Sequence, residues 1–126
     1  MADRICIRIR DRGRMSPTLF SRYSGLTAIV DLHDALEVSR GEASNIMCNL
    51  ILRMTGGKCY GGRAIGLCND EEFDKAGNME HGVWTFDLQE RMWEYTAYNG
   101  ELKKLTMEEA AELAYTIWPE RRKVEE

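Results

Sequence analysis

Residues 82–105, GVWTFDLQERMWEYTAYNGELKKL, constrain the fold of this chain more than any other stretch. Side chains alternate across a β-strand, so an apolar period of two marks a strand with one buried face. Trp84, Phe86 and Leu88 share one face of such a strand; Val83, Thr85 and Asp87 share the other. After a polar turn at Gln89-Glu90-Arg91 the alternation resumes, with Trp93, Tyr95 and Ala97 opposed to Met92, Glu94, Thr96 and Tyr98. Asn99-Gly100 separates this run from residues 102–105, and both residues accept the positive φ of a tight type I′ turn. The pattern predicts a three-stranded antiparallel meander whose facing aromatic rows fix the register. An aromatic stripe can also stack on a ligand or a base. No second signal accompanies this one, so core packing is the plainer reading.

A second strand opens the chain. In RICIRIR, Ile5, Ile7 and Ile9 alternate with Cys6, Arg8 and Arg10, and β-branched residues at every other position favour a strand. Asp11-Arg12-Gly13 reads as a turn. Residues 15–23 read as the return strand, irregular early or at an edge because Pro17 has no N–H for a ladder.

The period then changes to helical. Leu26, Ile29, Val30, His33 and Leu36 predict a helix over 26–38, with His33 on or beside its apolar face as a hydrogen-bonded core residue. Ser39-Arg40-Gly41-Glu42 has the form of a capping box for a helix running to Thr55. Ala43, Ile46, Met47, Leu50, Ile51 and Met54 form its stripe, widened by Cys48 and Leu52, which marks it as the central helix. Thr106-Met107-Glu108-Glu109 is a second capping box, and Met107, Ala110, Ala114 and Ile117 mark a helix to Trp118, stopped by Pro119. Residues 119–126 read as a charged tail on a single domain spanning 1–118.

These elements predict an α+β fold. A mostly antiparallel sheet, made of the N-terminal hairpin and the C-terminal meander, is covered on one face by about three helices. Strand order does not follow from the pattern.

Two loops resemble chemistry that their residues do not complete. Residues 56–66 hold five glycines, and Gly57 and Gly62 have phosphate-loop spacing. Arg63 stands where that loop needs lysine and Ala64 where it needs a hydroxyl. Asp70, Glu72 and Asp74 alternate as in a calcium loop, but Lys75 replaces the turn glycine and His81 the closing glutamate. No metal or cofactor motif is complete, so none is expected. Cys6, Cys48, Cys59 and Cys68 form no CxxC pair and read as free thiols; Cys59 and Cys68 are the only two close enough in sequence to invite a bridge. No apolar run reaches the roughly 18 residues of a membrane span, and the first residues lack a signal-peptide segment, so the expected location is cytoplasmic.

Leu19-Phe20-Ser21-Arg22-Tyr23-Ser24-Gly25-Leu26, with Ala64-Ile65-Gly66-Leu67 and Gly82-Val83-Trp84, resembles a group of small uncharacterised prokaryotic and phage- or plasmid-borne proteins. In that group a hairpin ends in an aromatic-x-Gly element ahead of a helix. The resemblance spans roughly two thirds of the chain, and Tyr23 stands where the group often has tryptophan. It carries no activity and no catalytic residue, and marks Tyr23 and Gly25 as positions to watch.

The net charge of −4 is unevenly spread. Residues 1–63 carry ten Lys or Arg against six Asp or Glu, and residues 64–126 carry seven against fifteen. Arginines concentrate in the N-terminal hairpin. This points to a non-catalytic binding module with Arg8, Arg10, Arg12, Arg14 and Arg22 as contacts, Tyr23 as a stacking residue, and Lys58 and Arg63 from the glycine-rich loop. The partner would be a protein or a nucleic acid; the overall acidity argues against an obligate nucleic-acid binder. The plainer alternative is that the arginines pair with the acidic half across one fold. A small enzyme with a site around His81 and Cys59, or a structural homo-oligomer such as a homodimer, are the competing readings. No catalytic constellation is recognisable.

Overall fold

The computed structural model describes residues 5–21, 26–39, 42–55, 65–68, 82–96, 101–117 and 119–121. The chain forms an α+β domain. Its strands are β1 (Ile5–Asp11), β2 (Arg14–Met15), β3 (Thr18–Ser21), β4 (Ile65–Cys68), β5 (Val83–Asp87), β6 (Met92–Thr96) and β7 (Leu102–Thr106). Its helices are α1 (Thr27–Val38), α2 (Ala43–Thr55) and α3 (Met107–Ile117), followed by a 3-10 turn at Pro119–Arg121. The strand order is β4-β3-β1-β5-β6-β7, with β2 also paired to β1.

The three strands of the expected meander are present, with Trp84 opposite Tyr95, Phe86 opposite Trp93 and Trp93 opposite Leu105; the Asn99-Gly100 turn lies outside the described residues. The hairpin is present too, its return limb broken into β2 and β3 at Ser16-Pro17. Among the described residues every pairing is antiparallel except one: β1 lies parallel to β5, with Ile7 beside Trp84 and Ile9 beside Phe86. That junction joins the two halves of the sheet. It places Ile5, Ile7, Ile9, Leu19, Trp84, Phe86 and Trp93 on one face, in a single core with the buried faces of α1, α2 and α3.

The aromatic stripe is core. Trp84, Phe86 and Trp93 are buried, with Phe86 and Trp93 edge to face at 5.1 Å between ring centres and Trp84 stacked on Tyr95 at 4.6 Å. Burial of aromatic side chains is the largest single contribution such a core can make.

Two expectations are corrected. Ser39 does not cap α2: its hydroxyl donates back to Ala35 O and accepts from Asn49 Nδ2 at 2.8 Å, so it closes α1. The central helix is α1, not α2. It buries Ala28, Ile29, Val30, Asp31, Leu32 and Ala35 and packs against both α2 and α3, whereas Cys48 and Leu52 of α2 face outward. Cys6 lies on the sheet face opposite the helices and is buried, as a small apolar side chain in a strand. The second capping box is real, with Thr106 N donating to Glu109 Oε1 at 2.9 Å and Glu109 N to Thr106 Oγ1 at 3.1 Å. The glycine-rich and acidic loops, the Cys59–Cys68 pair and Gly25 lie outside the described residues, apart from the backbone of β4. Among the described residues no helix is long and apolar enough to cross a membrane.

Candidate functional site

Because β1 and β5 run parallel, their C-terminal ends bring two turns together at one end of the sheet. The first is the β1–β2 connection. Asp11 pairs with Arg14, leaving Arg12 (φ 53) and Gly13 (φ 79) as central residues, the positive-φ pair a type I′ hairpin needs. The second is the β5–β6 connection over residues 88–91. Asp87 Oδ1 accepts from the backbone N–H of Gln89 at 3.0 Å and of Glu90 at 2.9 Å, and Arg91 N donates to Asp87 O at 2.8 Å.

Gln89 staples the turns to each other. Its Nε2 donates to Asp11 Oδ1 at 2.7 Å, and its Oε1 accepts from Arg12 N at 2.7 Å. Leu88 N adds a bond to Arg10 O at 2.9 Å. Arg12 and Arg91 (φ 55) are the two non-glycine residues with positive φ among the described residues. A left-handed non-glycine residue costs on the order of 1–3 kcal/mol and persists only where its surroundings fix it. Here the staple and the Asp87 bonds supply that constraint.

The hairpin arginines divide into two sets. Arg8 Nε donates to Thr85 Oγ1 at 2.9 Å. Arg10 donates to Glu94 Oε2 at 2.7 Å and Asp87 Oδ2 at 3.4 Å, pairing the basic first half with the acidic second half. The bond from Glu94 holds the Arg10 guanidinium above its ordinary value. The same bond holds the Glu94 carboxyl low, while Asp87 is lowered first by the backbone N–H of Glu90 and then by Arg10. Arg12 and Arg14, by contrast, are exposed, and among the described residues neither side chain has an ion-pair or hydrogen-bond partner. Arg91 is exposed on the second turn. Arg22, Tyr23, Lys58, Arg63, His81 and Cys59 lie outside the described residues.

Sequence reading did not find Gln89 or Arg91. Asp87 ahead of two polar turn residues is a recognisable side-chain turn signal. Gln89's role carried no local signal, because it depends on the parallel pairing of strands 77 residues apart. His33 is placed as expected: its Nε2 accepts from Trp93 Nε1 at 2.9 Å, and burial pushes its pKa down to about 4.

No family model, curated sequence or solved structure matches this chain.

Proposed function

We propose that this protein is a non-catalytic binding module that engages an acidic protein segment through the arginine-bearing turns. The observation that carries the reading is the division among the arginines. Arg8 and Arg10 are held within the fold, whereas Arg12 and Arg14 stand exposed on a hairpin tip that Gln89 holds in place. A guanidinium presents a planar fork of donors suited to carboxylates, and a rigid turn reduces the ordering cost of binding. The same end of the sheet carries Asp11, Asp87 and Glu90. Such a mixed surface suits point-to-point pairing with carboxylates better than tracking a phosphate backbone, and the net charge of −4 agrees.

The test is an NMR titration of labelled protein with a glutamate-rich peptide and, separately, a short mixed-sequence single-stranded nucleic acid, at low and moderate salt. The reading expects peptide-induced shifts centred on residues 11–14 and 88–91, lost in the Arg12→Asn/Arg14→Ser variant. Asparagine retains access to the left-handed turn conformation. Shifts with nucleic acid alone, falling steeply with salt, would move the assignment to a nucleic-acid partner. No shift with either probe at low salt would remove the binding role of this end.

A further inference from the structure

We propose that a cleft beside His33 is a binding site for a small organic carboxylate with an apolar body. The cleft has a volume of about 340 Å³ and lies where α1, α3 and the β5–β6 turn meet. That falls within the roughly 300–1,000 Å³ typical of small-molecule sites. Val30, Leu36 and Met107 supply apolar walls, and His33 and Arg91 supply donors.

The His33 donor follows from its bond to Trp93. An indole N–H can only donate, so Nε2 of His33 accepts, and the neutral ring carries its proton on Nδ1. Among the described residues no acceptor takes that N–H. Nor does any buried side-chain nitrogen or oxygen among them lack a partner. Nδ1 is therefore open to solvent, and His33 lines this cleft. The ring stays neutral through physiological pH, so the donor is a fixed N–H rather than a titrating cation.

Arg91 is the second donor. Its left-handed backbone is fixed by Asp87, its side chain is exposed, and it lines the same cleft. A guanidinium takes a carboxylate through two parallel bonds, and a neutral N–H nearby adds a third without adding charge. Asp34 and Glu37 also line the cleft, and Asp34 is matched by Arg53 at 2.9 Å. A guanidinium fork beside a single neutral N–H matches the two oxygens of one carboxylate. The apolar walls then select an aryl or branched-alkyl body.

The probe is phenylacetate, with phenylacetamide as the uncharged counterpart, followed by ¹H–¹⁵N spectra of the Trp93 indole and His33 ring. A saturable shift of both signals with phenylacetate is expected, with phenylacetamide at least about tenfold weaker, as expected when a charge-assisted bond is lost. Arg91→Asn keeps the left-handed turn accessible and should weaken phenylacetate by a similar factor. Absence of any shift, equal response to the amide, or insensitivity to Arg91→Asn would overturn the proposal. Arg91 sits on the second peptide-facing turn, but Arg12 and Arg14 do not line this cleft, so the Arg12→Asn/Arg14→Ser variant separates loss of peptide binding from loss of phenylacetate binding.

Discussion

Trp93 donates its indole N–H to Nε2 of His33 across 2.9 Å, tying the middle strand of the meander to the central helix. The rings also lie 5.9 Å apart, centre to centre, at a 46° tilt. Protonating Nε2 would break the bond, because two donors would then face each other. Burial is the main cause lowering the His33 pKa from 6.5 to about 4; nearby Arg91 lowers it further, while Asp34 and Glu37 oppose the shift. The unfolded state thus binds a proton that the folded state refuses. This contribution to stability is whole above pH 6.5 and is lost as pH falls towards about 4. The loss is on the order of 3 kcal/mol. Urea unfolding across that window should show stability falling with acidity, and the slope should flatten in His33→Gln, which keeps an acceptor but cannot titrate.

Arg10 sits between two carboxylates, with a quarter of its side chain exposed at 26% against 13% for Asp87 and 17% for Glu94. The group is neither a free surface pair nor a fully buried one. Arg10→Met should destabilise the fold by about 1–2 kcal/mol, between the two limits, because it leaves two shielded carboxylates uncompensated. Arg10→Met/Glu94→Gln should recover part of the loss. If the double variant is as unstable as the two single losses added together, the pair is not coupled. Since both carboxyls are held low, their contribution is present at neutral pH and lost as pH falls below the ordinary carboxylate range.

The start of α3 gives a cleaner number. Thr106 and Glu109 each satisfy the other's backbone N–H. Thr106→Ala should cost about 1 kcal/mol, and Thr106→Ser much less, since serine keeps the accepting hydroxyl. Equal losses would show that the threonine methyl, not the cap, matters.

The contrast between Thr106 and Ser39 explains what the sequence could convey. Both begin a four-residue pattern of capping form, but only Thr106 leads directly from a strand into its helix. Ser39 follows a helix, and an α1 carbonyl within reach claims its hydroxyl. Local spacing cannot say which partner wins. The meander was readable because its strands are neighbours in sequence and its Trp and Phe residues repeat every second position. The pairing of β1 with β5 was not, because no local rule fixes which edges meet across more than 70 residues. The candidate site inherits that gap. Arg12 and Arg14 were visible as exposed hairpin residues. Gln89 came to hold Arg12 only through the parallel junction.

That junction depends on Gly82. Its carbonyl accepts from Cys6 N at 3.1 Å, at the start of the β1–β5 pairing, and its φ of +69 lies where glycine is strongly favoured. A Cβ there would collide with the Thr96 carbonyl oxygen and come within 3.0 Å of the Tyr95 ring. The backbone oxygen belongs to β6 and cannot yield without disturbing the β5–β6 ladder. Gly82→Ala should therefore cost more than about 2 kcal/mol, combining left-handed strain with the collision. Gly13→Ala makes the matched control: its φ is +79, but a Cβ there meets nothing within 4 Å. It should carry the conformational cost alone, about 1–2 kcal/mol. Parallel denaturation of the two variants separates the contributions. Equal losses would mean that the Thr96 contact relaxes freely, and the close approach at the sheet junction would then have no energetic role.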